Sequence, residues 1–234
     1  MEDYPARTRY QGDVAASYDQ KRRSDRDGIR RWESESEVLA KVLSRVPRDS
    51  SVLDLPCGTG RFFPLLQEMG LRTVGADISD EMLRQIPAEY LKGENPVRTV
   101  IADAEKLQFP DNTFDYVLSM RFYNHLSLRA RPKVLGELSR ICRRGVIIQV
   151  RFRGPMAFLG DALRAILATV KGEARQSSET AHCDYGPRGN PRFSEFRKLA
   201  EECGLQVRET HRVWWGATLN PMKICMLTHK SSDS

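Results

Sequence analysis

Short apolar runs and longer amphipathic stretches alternate along most of the 234-residue chain. The apolar runs are rich in valine, isoleucine and leucine and are bounded by glycine, proline, serine or aspartate, which is typical of buried strands in a parallel sheet. They predict strands at 52–55, 72–77, 97–102, 114–119, 146–150, 205–212 and 222–228. Helical periodicity is present at 30–46, 126–142 and 194–203. This alternation of strands and helices predicts an α/β fold.

The stretch 51–63 links the first strand to a helix through a turn that contains Gly58 and Gly60. We expect this helix to begin at Thr59 or Gly60, so that its first backbone N–H groups face a polar ligand at the carboxyl end of the strand. A dinucleotide site would follow G-x-G-x-x-G, but Phe63 occupies the third position of that pattern. The turn therefore predicts a nucleotide pocket of a different kind.

The sequence VLDLPCGTG at 52–60 resembles the first motif of the class I S-adenosyl-L-methionine (SAM)-dependent methyltransferases, (V/L)LD(L/V)GCGTG. Pro56 replaces the first glycine of that motif and removes one backbone N–H donor. The resemblance is dense at 51–119, thin at 151–192, and points to the ubiquinone-biosynthesis and small-molecule branch. It implies SAM as cofactor and a Rossmann-like, mostly parallel seven-stranded sheet with helices on both faces. The implied strand order is 3-2-1-4-5-7-6, with the last strand antiparallel.

Asp77 ends the second predicted strand, about twenty residues beyond the glycines, where a carboxylate accepts hydrogen bonds from ribose hydroxyls. The alternative role, capping the next helix, fits Ser79 better because Ser79 directly precedes 80–83. The resemblance also implies that Asp103 receives the adenine amino group and that the backbone N–H of Ala104 meets the ring. The predicted cofactor-binding residues are Asp54, Pro56, Cys57, Gly58, Gly60, Asp77, Ile78, Met82, Asp103, Ala104, Met120 and Tyr18.

Tyr18 belongs to a segment, 14–19 followed by 28–32, that is similar to the N-terminal part of ubiquinone-biosynthesis methyltransferases, where such a tyrosine lies over the cofactor. Packing of the N-terminal helices onto the core is the alternative role. His125 follows the fourth strand and is predicted either to take a proton from the acceptor or only to line the site. Arg121 would pair with an anionic substrate or with a surface acid, and the sequence does not separate these.

The segment 151–192 is the least typical part of the chain. Residues 156–170 form an amphipathic pattern with basic residues on both sides. This pattern fits a helix packed on the sheet, a cap over an apolar acceptor pocket, or a peripheral membrane-surface helix. His182 and Tyr185 are candidates for acceptor contact, but no second ligand pair at metal spacing accompanies them, so no metal site is predicted. The pair 214–215 is a tandem tryptophan that suits core packing, an acceptor wall or a partner surface.

Composition narrows the class of protein. The length predicts one domain, with N-terminal helices at 1–50, a cofactor-binding core at 51–150, an insert or cap at 151–192 and the rest of the core at 193–234. The net charge of +6 comes from dispersed basic residues, which makes a nucleic-acid partner unfavoured. Five cysteines without a C-x-x-C pair, no long apolar run and no apolar signal core predict a cytoplasmic protein.

We therefore expect a SAM-dependent methyltransferase that acts on oxygen or carbon of a small or amphipathic acceptor, such as a quinone, a lipid or a secondary metabolite. The Asn/Asp-Pro-Pro-Tyr/Phe motif of many nitrogen methyltransferases does not follow the fourth strand. RNA or protein methylation is the alternative activity. A scaffold protein with this fold and no activity is the alternative class. The acceptor, the atom methylated and the oligomeric state are not predicted.

Overall fold

The computed structural model describes residues 26–154, 189–214 and 221–230. Within these ranges the chain forms one seven-stranded sheet. Its strands are β1 (Ser51–Asp54), β2 (Arg72–Asp77), β3 (Arg98–Ile101), β4 (Phe114–Ser119), β5 (Cys142–Arg151), β6 (Leu205–Val213) and β7 (Met222–His229). The predictions for Tyr18, the helix at 156–170, His182, Tyr185 and Trp215 lie outside the described residues.

The sheet has the order β3-β2-β1-β4-β5-β7-β6, as predicted. Strands β1 to β5 pair in parallel, and β1 is an interior strand because Val52 lies beside both Thr73 of β2 and Tyr116 of β4. Strand β7 pairs antiparallel with both β5 and β6. The carboxyl ends of β1 to β5 therefore lie along one edge of the sheet, where open parallel sheets bind ligands.

Five α-helices accompany the sheet in the described part of the chain. They are α1 (Arg26–Leu43), α2 (Phe63–Glu68), α3 (Asp80–Arg84), α4 (Ala130–Ile141) and α5 (Phe193–Glu202), with 3₁₀ turns at Ala88–Leu91 and Tyr123–His125. Successive strand residues point to opposite faces, so Leu53 packs in a core with α4 and α5, and Val52 packs in a second core with α1 and α2. The predicted helices on both faces are confirmed.

The helix after β1 begins later than the sequence predicts, at Phe63 instead of Thr59 or Gly60. Gly58 and Gly60 have φ values of 56° and 77°, which lie in the left-handed region and interrupt a right-handed helix. Pro64 then occupies the first turn of α2, where a proline is tolerated. The loop between β1 and α2 is therefore longer than expected and runs to Phe62.

The start of β5 also differs from its prediction at Val146. The sequence pattern leaves residues 143–145 between the helix at 126–142 and the strand at 146–150, but the strand already begins at Cys142. Gly145 lies opposite Thr228 of β7, and a Cβ atom there would approach the Leu227 carbonyl oxygen to 2.4 Å. This glycine permits close pairing of β5 with β7, which explains why it belongs to the strand.

Candidate functional site

A cavity lies at the carboxyl ends of β1, β2 and β4. It is lined by Leu55, Pro56, Cys57, Gly58, Thr59, Arg61, Phe62, Asp77, Ile78, Met82, Ala102, Ala104, Met120, Arg121, Phe122 and His125. Most of the cofactor-binding residues expected from the sequence are in this set, and so is His125. Three of them, Asp54, Gly60 and Asp103, do not line it. The site predicted from separate motifs is thus assembled mainly around one cavity.

Asp77 joins the loop after β1 to the end of β2. Its Oδ2 atom accepts a hydrogen bond from the Gly58 backbone N–H at 2.9 Å, and its Oδ1 atom accepts one from the Ser79 N–H at 2.9 Å. Ser79 is the residue that caps α3, because its Oγ atom accepts from the Met82 N–H. Burial raises the pKa of Asp77, and the backbone donors at Ser79 and Gly58 oppose that rise. The carboxylate is therefore fixed in place at the cavity wall.

Asp54 is a buried carboxyl group at the end of β1, with 1% of its surface exposed. Within the described residues, neither of its side-chain oxygens has a hydrogen-bond partner. Burial and, second, the negative charge of Asp77 raise the pKa of Asp54 well above its usual range. Unpaired buried carboxyl groups favour a positively charged ligand nearby. SAM carries a sulfonium and an ammonium group besides its one carboxylate, so a buried acidic group here suits the positively charged part of SAM.

Gly58 and Gly60 have different surroundings. Gly58 borders the cavity, and a Cβ atom there would lie 3.3 Å from the Met82 Cε atom, its nearest neighbour. A Cβ atom at Gly60 would lie 2.6 Å from the Phe63 ring. Gly58 therefore keeps the backbone open toward a ligand, whereas Gly60 allows the loop to pack on α2.

Asp103 and Ala104 follow β3, the edge strand. Ala104 is buried and lines the cavity, while the partly buried Asp103 accepts a hydrogen bond from the Glu105 N–H at 3.0 Å through Oδ1. Ala104 thus lies where a flat ring could rest against backbone. The assignment of Asp103 to the adenine amino group stays a prediction.

Glu35, a residue that our sequence analysis missed, is the main anchor at the opposite end of the cavity. It lies on α1, is 0% exposed, and accepts hydrogen bonds from two cavity-lining arginines and a glutamine. The Arg61 Nη2 atom lies 2.9 Å from Oε2, the Arg121 Nε and Nη2 atoms both lie 2.8 Å from Oε2, and the Gln149 Nε2 atom lies 3.1 Å from Oε1. Arg121 also adopts a positive φ of 55° and donates its backbone N–H to Gln149 Oε1. Helix α1, the loop after β1, the loop after β4 and strand β5 therefore meet at one carboxylate.

The comparisons with known proteins agree on one family. A family model described as a methyltransferase domain matches residues 52–145. The demethylmenaquinone methyltransferase of Bacillus licheniformis is 30% identical over 182 residues, which are 72% of this chain and 76% of that protein. The phosphatidylethanolamine N-methyltransferase of Cereibacter sphaeroides is 36% identical over 124 residues, which are 50% of this chain but only 59% of that relative.

A comparison of structures gives the same fold. The magnesium protoporphyrin IX methyltransferase of Synechocystis, solved with bound S-adenosylhomocysteine (SAH), superposes with a TM-score of 0.66. The superposition covers 95% of this chain and 97% of that chain, at 15% sequence identity.

In the described part of the chain, no helix combines the length and the apolar character needed to cross a bilayer.

Proposed function

This chain belongs to the class I SAM-dependent methyltransferases, and from that membership we propose that it methylates oxygen or carbon of a small or amphipathic acceptor. Its cofactor is SAM. The observation that carries the acceptor class is the apolar wall formed by Phe62, Met120 and Phe122, which are buried and line the cavity beside His125. Two relatives are named for demethylmenaquinone and phosphatidylethanolamine, which supports an amphipathic acceptor.

The residues on the Asp77 side of the cavity are the ones that would bind SAM. Asp77 has further lone pairs on both oxygens with which to accept from ribose hydroxyls, while Gly58 lets the backbone approach the amino-acid portion. Ile78, Met82 and Ala104 supply apolar contacts for the adenine. When bound, SAM supplies a methyl group on a positively charged sulfur. The uncharged thioether that forms on transfer is an excellent leaving group. The protein's task is then to align the acceptor and exclude water, which the apolar wall performs.

His125 is proposed to take the proton of a hydroxyl acceptor. It lies in the 3₁₀ turn Tyr123–His125 after β4 and borders the cavity. We expect His125→Asn to lower kcat by about 100-fold or more, since general-base catalysis contributes about 10²–10⁴. SAM affinity, measured by calorimetry, should change little. An unchanged kcat would assign His125 to lining the site instead.

The acceptor class is tested by the fate of a radiolabelled methyl group. Purified protein is incubated with cell extract and methyl-labelled SAM, and the label is counted in organic, aqueous small-molecule, RNA and protein fractions. We expect transfer to the organic or small-molecule fraction. Label in RNA or protein would contradict the proposed acceptor class, and no transfer to any fraction would favour a scaffold protein.

The affinity for SAM should rise with pH. Burial raises the pKa values of Asp54 and Asp77, so each carboxyl group holds its proton more tightly in the folded protein than in the unfolded chain. Ionised Asp77 would accept from the ribose hydroxyls and ionised Asp54 would attract the positive charges of SAM, so the ligand must displace both protons at low pH. Affinity is therefore expected to increase as pH rises through the raised pKa values and then to level off.

Calorimetry at several pH values and in two buffers measures both this affinity and the protons released. SAH lacks the sulfonium charge but keeps the ribose, so the part of the pH dependence that comes from Asp54 should be smaller for SAH, whereas the part that comes from Asp77 should remain. Asp54→Asn should weaken the dependence for SAM. A SAM affinity that is constant or falls as pH rises would contradict the role of these carboxylates.

A further inference from the structure

We infer that the acceptor carries an anionic group, a carboxylate or a phosphate, which binds to Arg61 and Arg121 at the end of the cavity remote from Asp77. This inference rests on the proposed function, because it names a chemical feature of the same acceptor. Arg61 and Arg121 would determine which acceptors bind, and Glu35 would hold both arginines in position.

The two arginines reach the cavity from different parts of the chain. Arg61 lies in the loop after β1 and Arg121 in the loop after β4. Both line the cavity, and their side chains remain 13% and 16% exposed. Strand β2, which carries Asp77, lies on one side of β1, and β4 lies on the other. Arg121 follows β4, and its guanidinium group shares the Glu35 Oε2 atom with that of Arg61, so we assign both guanidinium groups to the acceptor end and the Asp77 carboxylate to the SAM end.

Glu35 holds both guanidinium groups in position. Its Oε2 atom accepts from Nη2 of Arg61 at 2.9 Å and from Nη2 of Arg121 at 2.8 Å. Glu35 itself is fully buried, so it fixes the two arginines from behind while they retain their access to the cavity. Both guanidinium groups form ion pairs with this one carboxylate, so the two arginines are held in a fixed geometry at the cavity wall.

The positive charge extends to the neighbouring strand. Arg151 ends β5, and Gln149 of the same strand binds both Glu35 and the Arg121 backbone. Burial and, after it, the positive charges of Arg31 and Arg121 lower the pKa of Arg151, whereas Glu35 opposes that effect. Arg31, Arg121 and Arg151 are therefore near enough to repel one another, and an anionic ligand beside Arg121 would relieve that repulsion.

The chemistry of the pair selects the ligand class. A guanidinium group is planar and offers parallel donors that fit the oxygens of a carboxylate or a phosphate. Phe62 and Phe122 line the same cavity, so the anionic group should be attached to an apolar or aromatic body. The two reactants would then bind at different ends of the cavity according to their charges. The positive groups of SAM would lie near the carboxyl groups of Asp54 and Asp77, and the anionic group of the acceptor would lie near the two arginines.

The test titrates the protein with inorganic phosphate and with benzoate, in the presence and absence of SAH, by calorimetry. Arg61→Gln is expected to weaken anion binding by about tenfold or more, the usual loss for a hydrogen bond to a charged group. Arg121→Lys retains a charge for Glu35 but loses the planar fork, and a similar loss is expected. Arg197→Gln, on the exposed side of α5, is the matched control and should bind like the wild type.

Vesicles of phosphatidylcholine with and without phosphatidic acid distinguish a lipid headgroup from a soluble anion. Binding that requires phosphatidic acid and Arg61 supports a lipid source, and binding of phosphate or benzoate alone supports a soluble acceptor. Failure of every probe to bind saturably, or equal binding by the arginine variants and the control, overturns the inference. If the wild-type protein did not bind SAH, the proposed SAM site would be refuted instead. The titrations without SAH would still report on the arginines.

Discussion

Replacement of Asp77 by alanine is expected to lower the affinity for SAM by about 100-fold or more. We propose that the carboxylate accepts from two ribose hydroxyls, and two charge-assisted hydrogen bonds are worth about 3 kcal/mol together. The same substitution also frees the Gly58 and Ser79 backbone N–H groups, so the loop after β1 keeps the hydrogen bond from the Cys57 N–H to the Ala76 carbonyl but loses the one to Asp77. Equilibrium binding of labelled SAM measures the effect.

Asp80→Ala is the matched control for this substitution. Asp80 lies three residues away on α3, forms a surface ion pair with Arg84 and does not line the cavity. Its removal should change SAM affinity by no more than about twofold, as expected for a surface substitution. Circular dichroism confirms that both variants are folded. Wild-type affinity in folded Asp77→Ala would remove Asp77 from the cofactor site.

Replacement of Glu35 by alanine is expected to destabilise the protein by about 3 kcal/mol. Removing one partner of a buried ion pair costs about 3–5 kcal/mol because a buried charge is left unpaired. We place the loss at the low end, since Arg61 and Arg121 keep 13% and 16% of their side-chain surface at the cavity and can be partly hydrated there. Urea unfolding measures the change in the free energy of unfolding.

Glu37→Ala provides the control for Glu35. Glu37 is on the same helix, two residues further along, and is exposed. Its substitution should change the free energy of unfolding by no more than about 0.5 kcal/mol. If the two variants were equally stable, the carboxylate at 35 would not be the anchor that joins α1 to the cavity.

The strands and the core of the cofactor site follow from local sequence. Strands β2 and β4 have the predicted bounds, because each is a short apolar run closed by polar or turn-forming residues. The spacing after the glycines predicts an acid at the end of β2, and Asp77 lies there and lines the cavity, because that spacing reflects the length of a strand, loop and helix unit. Local patterns of this kind therefore predict the strands of the sheet and the residues that follow them at its edge.

The errors arose where distant contacts decide the conformation. The sequence pattern leaves Gly145 outside the predicted strand at 146–150, but Gly145 is needed in β5 because the Leu227 carbonyl of β7 lies against it. The start of α2 was placed too early because the backbone angles of Gly58 and Gly60 are set by the loop and not by residue type alone. Neither the approach of Leu227 to Gly145 nor the backbone angles of the two loop glycines produce a periodic pattern in the sequence.

Glu35 shows why the acceptor end was incompletely predicted. Its partners Arg61, Arg121 and Gln149 are 26, 86 and 114 residues away along the chain. The available signal was the position of a glutamate four residues before Leu39 and seven before Val42, on the buried stripe of α1. A charged residue at such a position requires partners, and the fold supplies them from three other elements.

The most direct test of the donor site is a crystal structure of the protein with SAH. We expect the ribose hydroxyls to contact the Asp77 carboxylate, the adenine to lie beside Ala104, and the amino-acid portion to lie against Gly58. SAH bound elsewhere, or a cavity filled by the protein's own side chains between Gly58 and Ala104, would contradict this assignment.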